Sequence, residues 1–487
     1  MSRNIRLLAT LALAAPLTPA SAQLTLRDAL RRADAGAYAN RIARGTADAQ
    51  RAQALAPLRG ILPSVRAEAG YVRTTDPIGA FGTTLRQRAV TQAAFDPGRL
   101  NRPDAVGNYG AGLLLEAPIA NADAWAGRRA ATHAADATRA SAAWTRIGTH
   151  TDVIRAWYGA VLASERAVKL ESAARAAHGH VAQAQTLVRN GVATKSDALL
   201  ASVRAGDIDG QLAEARGAVG IARRQLALAL GAADGADVPA PTVLPSSARI
   251  RALVSDDTAA LPRTPRADVV AAARGLDAAR ADRLRARAAY LPRVNSFARY
   301  DWNSPDRPYG GSRNWTIGVM ASVPLLGTAG DLADAQATAA REASARAQAE
   351  AAAARAELEV EQTRTALAVA LQRLDIAEHA AAQSTEAHRI VARKYAGGLA
   401  TVVELLDAQA VETGSGLALS AARYGAIVAA AERRQALGAD PETLAALDDP
   451  VPAVAATPSE PASAGPLRAA PASAAPHRLP PALPTPR

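Results

Sequence analysis

The sequence predicts a mainly α-helical protein with a membrane β-barrel portion. Long antiparallel helical hairpins form a periplasmic tunnel, and four β-strands per protomer complete a 12-stranded barrel in a trimer. Three observations predict it. Proline is excluded from two long blocks, Ile119 to Val238 and Leu325 to Asp440. Each block is broken near its middle by glycine, at Asn190-Gly191 and at Gly397-Gly398. Four short segments outside the blocks alternate with a period of two and run from a proline to an aromatic residue.

The blocks are rich in Ala, Leu, Arg, Glu and Gln, the strong helix formers. Proline inside a helix costs about 3 kcal/mol, so its confinement elsewhere marks both blocks as helical. Glycine at the breaks supplies a turn, giving two hairpins, at about 124–231 and about 330–437. The first arm alone, Ala124 to Arg189, spans about 100 Å at 1.5 Å per residue. Leu212, Val219 and Leu226 step by seven, and Leu367, Leu371 and Leu374 by four and three, which makes coiled-coil seams.

The alternating segments read as strands, at about 64–72, 108–118, 293–302 and 314–324. Pro63, Pro118, Pro292 and Pro324 mark their helix-side ends. Tyr71 with Tyr109, and Tyr300 and Trp302 with Trp315, mark the far ends. A strand of about nine residues at a tilt near 40° rises about 23 Å, close to the apolar band of an outer-membrane barrel with its aromatic girdle. Four strands cannot close a barrel and an open edge in lipid is not allowed, so copies must associate.

The organisation is therefore a duplication: a first repeat at 23–238, a connector at 239–265 and a second repeat at 266–440. The long, polar first loop runs from Val72 to Asn108, and its short equivalent from Asn303 to Asn314. A Pro- and Ala-rich tail at 441–487 is expected to be disordered. At the other end, Arg3 and Arg6, the apolar run Leu7 to Leu17 and Ala20-Ser21-Ala22 make residues 1–22 a signal peptide. The chain has no Cys, which excludes disulfides and thiolate metal sites. The net charge of +11 is scattered arginine without a basic stripe, so no nucleic-acid partner is expected.

The region Leu24 to Leu437 resembles the TolC family of outer-membrane efflux proteins. The strand ends at Leu115 to Ile119 and Ala321 to Leu325 carry the resemblance, as do the turns Val188 to Leu199 and Lys394 to Gln409. It implies a homotrimeric channel in the outer membrane, its tunnel in the periplasm, that opens when an inner-membrane pump and its periplasmic adaptor (membrane fusion) protein dock. Glu404 and Asp407 fall where the family places acidic rings at the closed aperture. Three apart on one helix face, they would put six carboxylates around one axis, favouring cations and raising some carboxyl pKa values. From the residues alone the plainer reading of these acids is a solvated helix start that complements the dipole. Asp197 and Tyr395 match tip positions that hold the aperture shut. Gly191 with Val192, and Gly398 with Leu399, match positions that meet adaptor hairpins, and the glycines also serve as simple turn residues. Ala400 stands where the family often carries Arg.

Export of small molecules or drugs is the expected function, with type I polypeptide secretion as the alternative. A soluble periplasmic coiled-coil scaffold is more remote, because it leaves the strands unexplained. No enzyme, cofactor or metal site is expected: no Walker loop, GxSxG elbow or HExxH is present, and His178-x-His180 shows no carboxylate or Cys partner.

Overall fold

The computed structural model describes residues 24–232, 243–260, 265–308, 310–325 and 329–448. The expected signal peptide, the chain from Asp449 onward and parts of the connector lie outside them.

Two short helices, α1 (Leu26–Gly36) and α2 (Tyr38–Gln53), lead into strand β1 (Ser64–Thr74). The first loop then holds α3 (Pro77–Arg86) and α4 (Pro97–Asn101), and β2 (Val106–Ala120) returns the chain to the helices. The hairpin arms are α5 (Ala122–Arg189, 68 residues) and α6 (Lys195–Ala229, 35 residues). After α7 (Ser247–Ala260) and α8 (Ala267–Ala288) come β3 (Arg293–Ser304) and β4 (Ser312–Ser322). The second hairpin is α9 (Ala329–Ala396) and α10 (Val402–Ala436), again 68 and 35 residues. Equal arm lengths are the structural imprint of the duplication.

The four strands form one antiparallel sheet in the order β1-β2-β3-β4, leaving β1 and β4 as edges. Its registers place Val65 opposite Leu115, Leu115 opposite Ala298 and Ala298 opposite Ile317. One face is therefore apolar from edge to edge, and it is bare: Val65 and Ile317 are 71% and 70% exposed. The other face carries Arg66, Glu68, Arg299, Asp301, Asn303, Asn314 and Thr316, with Arg299 bonded to Asp301 at 2.8 Å. Tyr71 packs on Tyr109 and Tyr300 on Trp302, each pair with ring centroids 4.7 Å apart.

Two local expectations are corrected, at Pro118 and at residue 441, and two segments gain detail. Pro118 does not close β2; the strand continues to Ala120 through a register shift between Pro118 and Ala120, a bulge that accommodates the missing N–H. The long, polar first loop carries short helices of its own. Asp76 and Asp96 cap α3 and α4, each followed by proline at the first helical position. The loop is pinned to the sheet by Gln87, which donates to the Gly107 carbonyl at 2.8 Å, and by Ser312, which donates to the Gln87 carbonyl at 2.8 Å. The connector contains α7, anchored by the fully buried Ile250. Finally, the tail cannot begin at 441: Pro441–Leu447 is a 3-10 segment whose Leu444 and Leu447 are buried, because these side chains seal the core.

That core girdles the middle of the hairpins. Leu26 and Leu30 of α1 pack with Val153, Ile154, Trp157 and Tyr158 of α5, Leu226 of α6, Leu374 of α9 and Ile427 of α10. The expected seam residues Leu212, Leu367 and Leu374 are all buried. At the end of α6 the backbones nearly touch: a Cβ on Gly231 would lie 2.0 Å from the Gly36 carbonyl oxygen, so glycine is required there.

Candidate functional site at the hairpin tips

Both hairpins end in the same local machine. At the first tip Val192 N–H donates to the Leu187 carbonyl at 2.9 Å and Gly191 N–H to Val188 at 3.1 Å. At the second, Leu399 N–H donates to Lys394 at 2.8 Å and Gly398 N–H to Tyr395 at 3.1 Å. This is the Schellman closure, which needs a left-handed residue at its hinge; Gly191 and Gly398 both have φ +72°. Three residues on, Thr194 and Thr401 cap the returning helices with reciprocal boxes. Asp197 N–H donates to the Thr194 hydroxyl, and Thr194 N–H to the Asp197 carboxylate at 2.9 Å. Glu404 N–H donates to the Thr401 hydroxyl, and Thr401 N–H to the Glu404 carboxylate at 2.7 Å.

Glu404 therefore has an internal task. The Thr401 backbone N–H and then its hydroxyl hold the Glu404 carboxyl below the usual range. Raised carboxyl pKa values would need copies crowded together; within one chain the cap pulls the other way. Glu404 and Asp407 both lie on the exposed side of α10, opposite the buried Leu405, Leu406 and Gln409.

Tyr395 is buried, 6% exposed, in a small apolar cluster that joins the tips. Ala184 of α5, Ala201 of α6 and Val402, Leu405 and Leu406 of α10 surround it, with Ala400 packed at the margin. Among the described residues its hydroxyl finds no hydrogen-bond partner. Burial and then the nearby Asp197 charge push it upward. Asp197 and Tyr395 are thus brought near one another but share no hydrogen bond, because the Asp197 carboxylate is taken by Thr194. Val192 and Leu399 project outward from the tips, 68% and 81% exposed.

The two threonine caps are features of the tips that the sequence reading missed, although the Thr-x-x-Asp and Thr-x-x-Glu spacing announces them. Contrary to the expectation, His178 does have a carboxylate partner, Asp209 at 2.9 Å on the facing arm, while His180 stacks edge-on against His388. Among the described residues no group of three His, Cys, Asp or Glu side chains stands ready to hold a metal. Nor is any helix among them long and apolar enough to cross a membrane.

This fold, a sheet bare and apolar on one face and continued by two long helical hairpins, has counterparts among known proteins. Residues 262–439 match the model of the outer membrane efflux protein family. A membrane protein from Pseudomonas aeruginosa is similar at 22% identity and TM-score 0.71, covering 85% of this chain and 93% of that one. The outer membrane protein VceC from Vibrio cholerae is similar at 19% identity and TM-score 0.70, covering 85% and 96%. The CmeC outer membrane channel of Campylobacter jejuni is similar at 15% identity and TM-score 0.71, covering 90% and 94%. No curated protein matches the sequence. Residues 262–439 thus resemble the outer membrane efflux protein family, and most of the described chain shares the fold of these solved outer-membrane proteins.

Proposed function

We infer that the protein is the outer-membrane channel of a tripartite export system. It works as a homotrimer that receives small molecules or drugs from an inner-membrane pump through a periplasmic adaptor and releases them outside the cell. The observation that carries this reading is the sheet: an apolar face exposed from edge to edge, an aromatic fringe and two unpaired edge strands. In water that surface is a liability; in lipid, three copies joined edge to edge remove both the bare face and the open edges. The polar face then lines the pore, and the hairpins extend it into the periplasm.

At the tips, Glu404 and Asp407 are the lumen acids of the closed aperture. The cap on Glu404 fixes where its charge sits, and three copies would concentrate negative charge where the tunnel narrows. The apolar cluster around Tyr395, with Asp197 beside it, is the contact that holds the tips together, and it supplies cohesion where Ala400 cannot make an ion pair. Gly191 with Val192, and Gly398 with Leu399, present bare apolar knobs on rigid turns, suited to a helical hairpin of the adaptor.

The test is reconstitution of the purified protein in planar bilayers, with a pull-down of the intact channel from its own envelope. Discrete conductance steps and recovery of an adaptor with its pump are expected. A water-soluble monomer that forms no pore would overturn the reading.

A further inference from the structure

The aromatic fringe is staggered across the sheet, and the stagger identifies a second feature beside it. In strand register Tyr71 of β1 is level with Tyr109 of β2, whereas Trp315 of β4 is level with Tyr300, Leu113 and Ala67. From β1 to β4 the fringe thus slips by the interval Ala67 to Tyr71. Four residues are about 13 Å along a strand, against about 14 Å across three strand spacings, which corresponds to a tilt of about 43°. That is the tilt of a membrane barrel, so the fringe runs at one height around the wall.

Arg313 is level with Trp302, Ala111 and Ala69, and Arg73 lies beyond Tyr71 on β1. The interval from Ala69 to Arg73 equals that from Ala67 to Tyr71. Arg73 and Arg313 therefore also share one height, a single outward-facing step beyond the aromatic fringe. Both are exposed, and both stand on the same face as Tyr71 and Trp315. The corresponding positions on the inner strands are Gly107 and Ser304, so the cations occupy only the edge strands. Among the described residues neither guanidinium has an ion-pair partner; Arg88 donates to the Arg313 carbonyl at 3.1 Å and adds positive charge there.

We propose that Arg73 and Arg313 form a phosphate-binding clamp on the lipid side of each subunit seam, for a phosphate-bearing headgroup of the outer leaflet. The proposal rests on the trimeric channel of the preceding section. Where β4 of one copy meets β1 of the next, Arg313 and Arg73 of the partner subunit stand on neighbouring strands about 4.8 Å apart. Two guanidinium forks then flank one phosphate, the geometry in which arginine gains most over lysine. The fatty chains of the same lipid lie over the apolar face just below. A phosphorylated lipid is thereby favoured over a free anion, and it bridges two copies.

The test uses the full mature channel in phosphatidylcholine nanodiscs containing bisphosphorylated lipid A or the same lipid stripped of its phosphates. Native mass spectrometry reads the lipid retained per trimer, and single-channel conductance is recorded in phosphatidylcholine bilayers. Wild type should retain the phosphorylated lipid preferentially. The double change Arg73→Ala, Arg313→Ala should reduce retention about tenfold, with conductance unchanged. Arg73→Lys, Arg313→Lys should restore it in part. Equal retention by wild type and the alanine variant, with normal conductance in both, overturns the clamp and leaves the channel standing. Displacement of the lipid by millimolar inorganic phosphate overturns the lipid assignment. Failure of wild type to conduct removes the channel and the clamp together.

Discussion

His150 Nδ1 lies 2.7 Å from the Asp440 carboxylate, tying the middle of α5 to the segment that follows α10. Its Nε2 lies 3.0 Å from Asp34 of α1, and Arg146 stands 3.1 Å from Asp440. Burial alone would lower the imidazole pKa. The hydrogen bond and charge of Asp440, then the charge and hydrogen bond of Asp34, outweigh it and leave His150 raised above 6.5.

A raised folded pKa means that this contribution is complete below the unfolded value and is lost as pH rises through the folded one. His150→Ala should therefore cost about 2–3 kcal/mol in mildly acidic solution, and less in alkaline solution. Asp440, held low against the pull of burial chiefly by His150, sets the acid limit: its share is lost as pH falls through its folded value. Thermal melts of both proteins across neutral pH check the sign, and a gap that widens as pH rises would refute it.

The caps at the tips are separable from the acids they engage. Thr401→Ala should cost about 1 kcal/mol locally and speed amide exchange in the first turn of α10, leaving the core untouched. Thr401→Ser should preserve protection. Because the folded pKa of Glu404 is depressed, its share of the cap is present above the unfolded value and fades as pH falls through the folded one. Exchange rates of the Glu404 amide against pH are the measurement.

At Gly191 and Gly398 a side chain would meet nothing within 4 Å, so any cost of substitution comes from φ +72° alone. Alanine at either position should destabilise its turn by about 1–2 kcal/mol. Asparagine, which tolerates this region, should recover most of that. If both substitutions cost the same, the turns are not held in the left-handed conformation.

Replacing Glu404 and Asp407 together with alanine should lower cation selectivity and relieve block by multivalent cations in planar bilayers. Thr401→Ala serves as the control: it loosens the cap but retains the charges, so it should leave selectivity nearly unchanged. Unaltered selectivity in the acid-free protein would put both side chains outside the lumen.

Much of this architecture is legible from single residue types. Proline exclusion reveals the long arms, because the penalty for proline acts on the helix itself. Alternation with terminal aromatics reveals the strands for a similarly local reason. What escapes is of two kinds. The His150 cluster joins residues 116 and 290 positions apart, and no local pattern encodes such a meeting. The caps at Thr194 and Thr401 and the loop helices after Asp76 and Asp96 are local signals, present in the sequence but outweighed by the glycines and the loop's polarity. Pro118 misleads because a bulge lets the ladder pass it. At the tips, the family resemblance brings out Glu404 but not the bond to Thr401 that occupies its carboxylate.

The matched arms, 68 and 35 residues in each repeat, also limit how such a chain can change in length. Deleting one residue from α9 would turn everything beyond it by about 100° and shift it by about 1.5 Å, carrying Tyr395 out of its cluster. An insertion or deletion in one arm therefore needs a compensating change in the arm it packs against if the cluster at the tips is to stay in register. The arms thus act as a fixed ruler between the sheet and the hairpin tips.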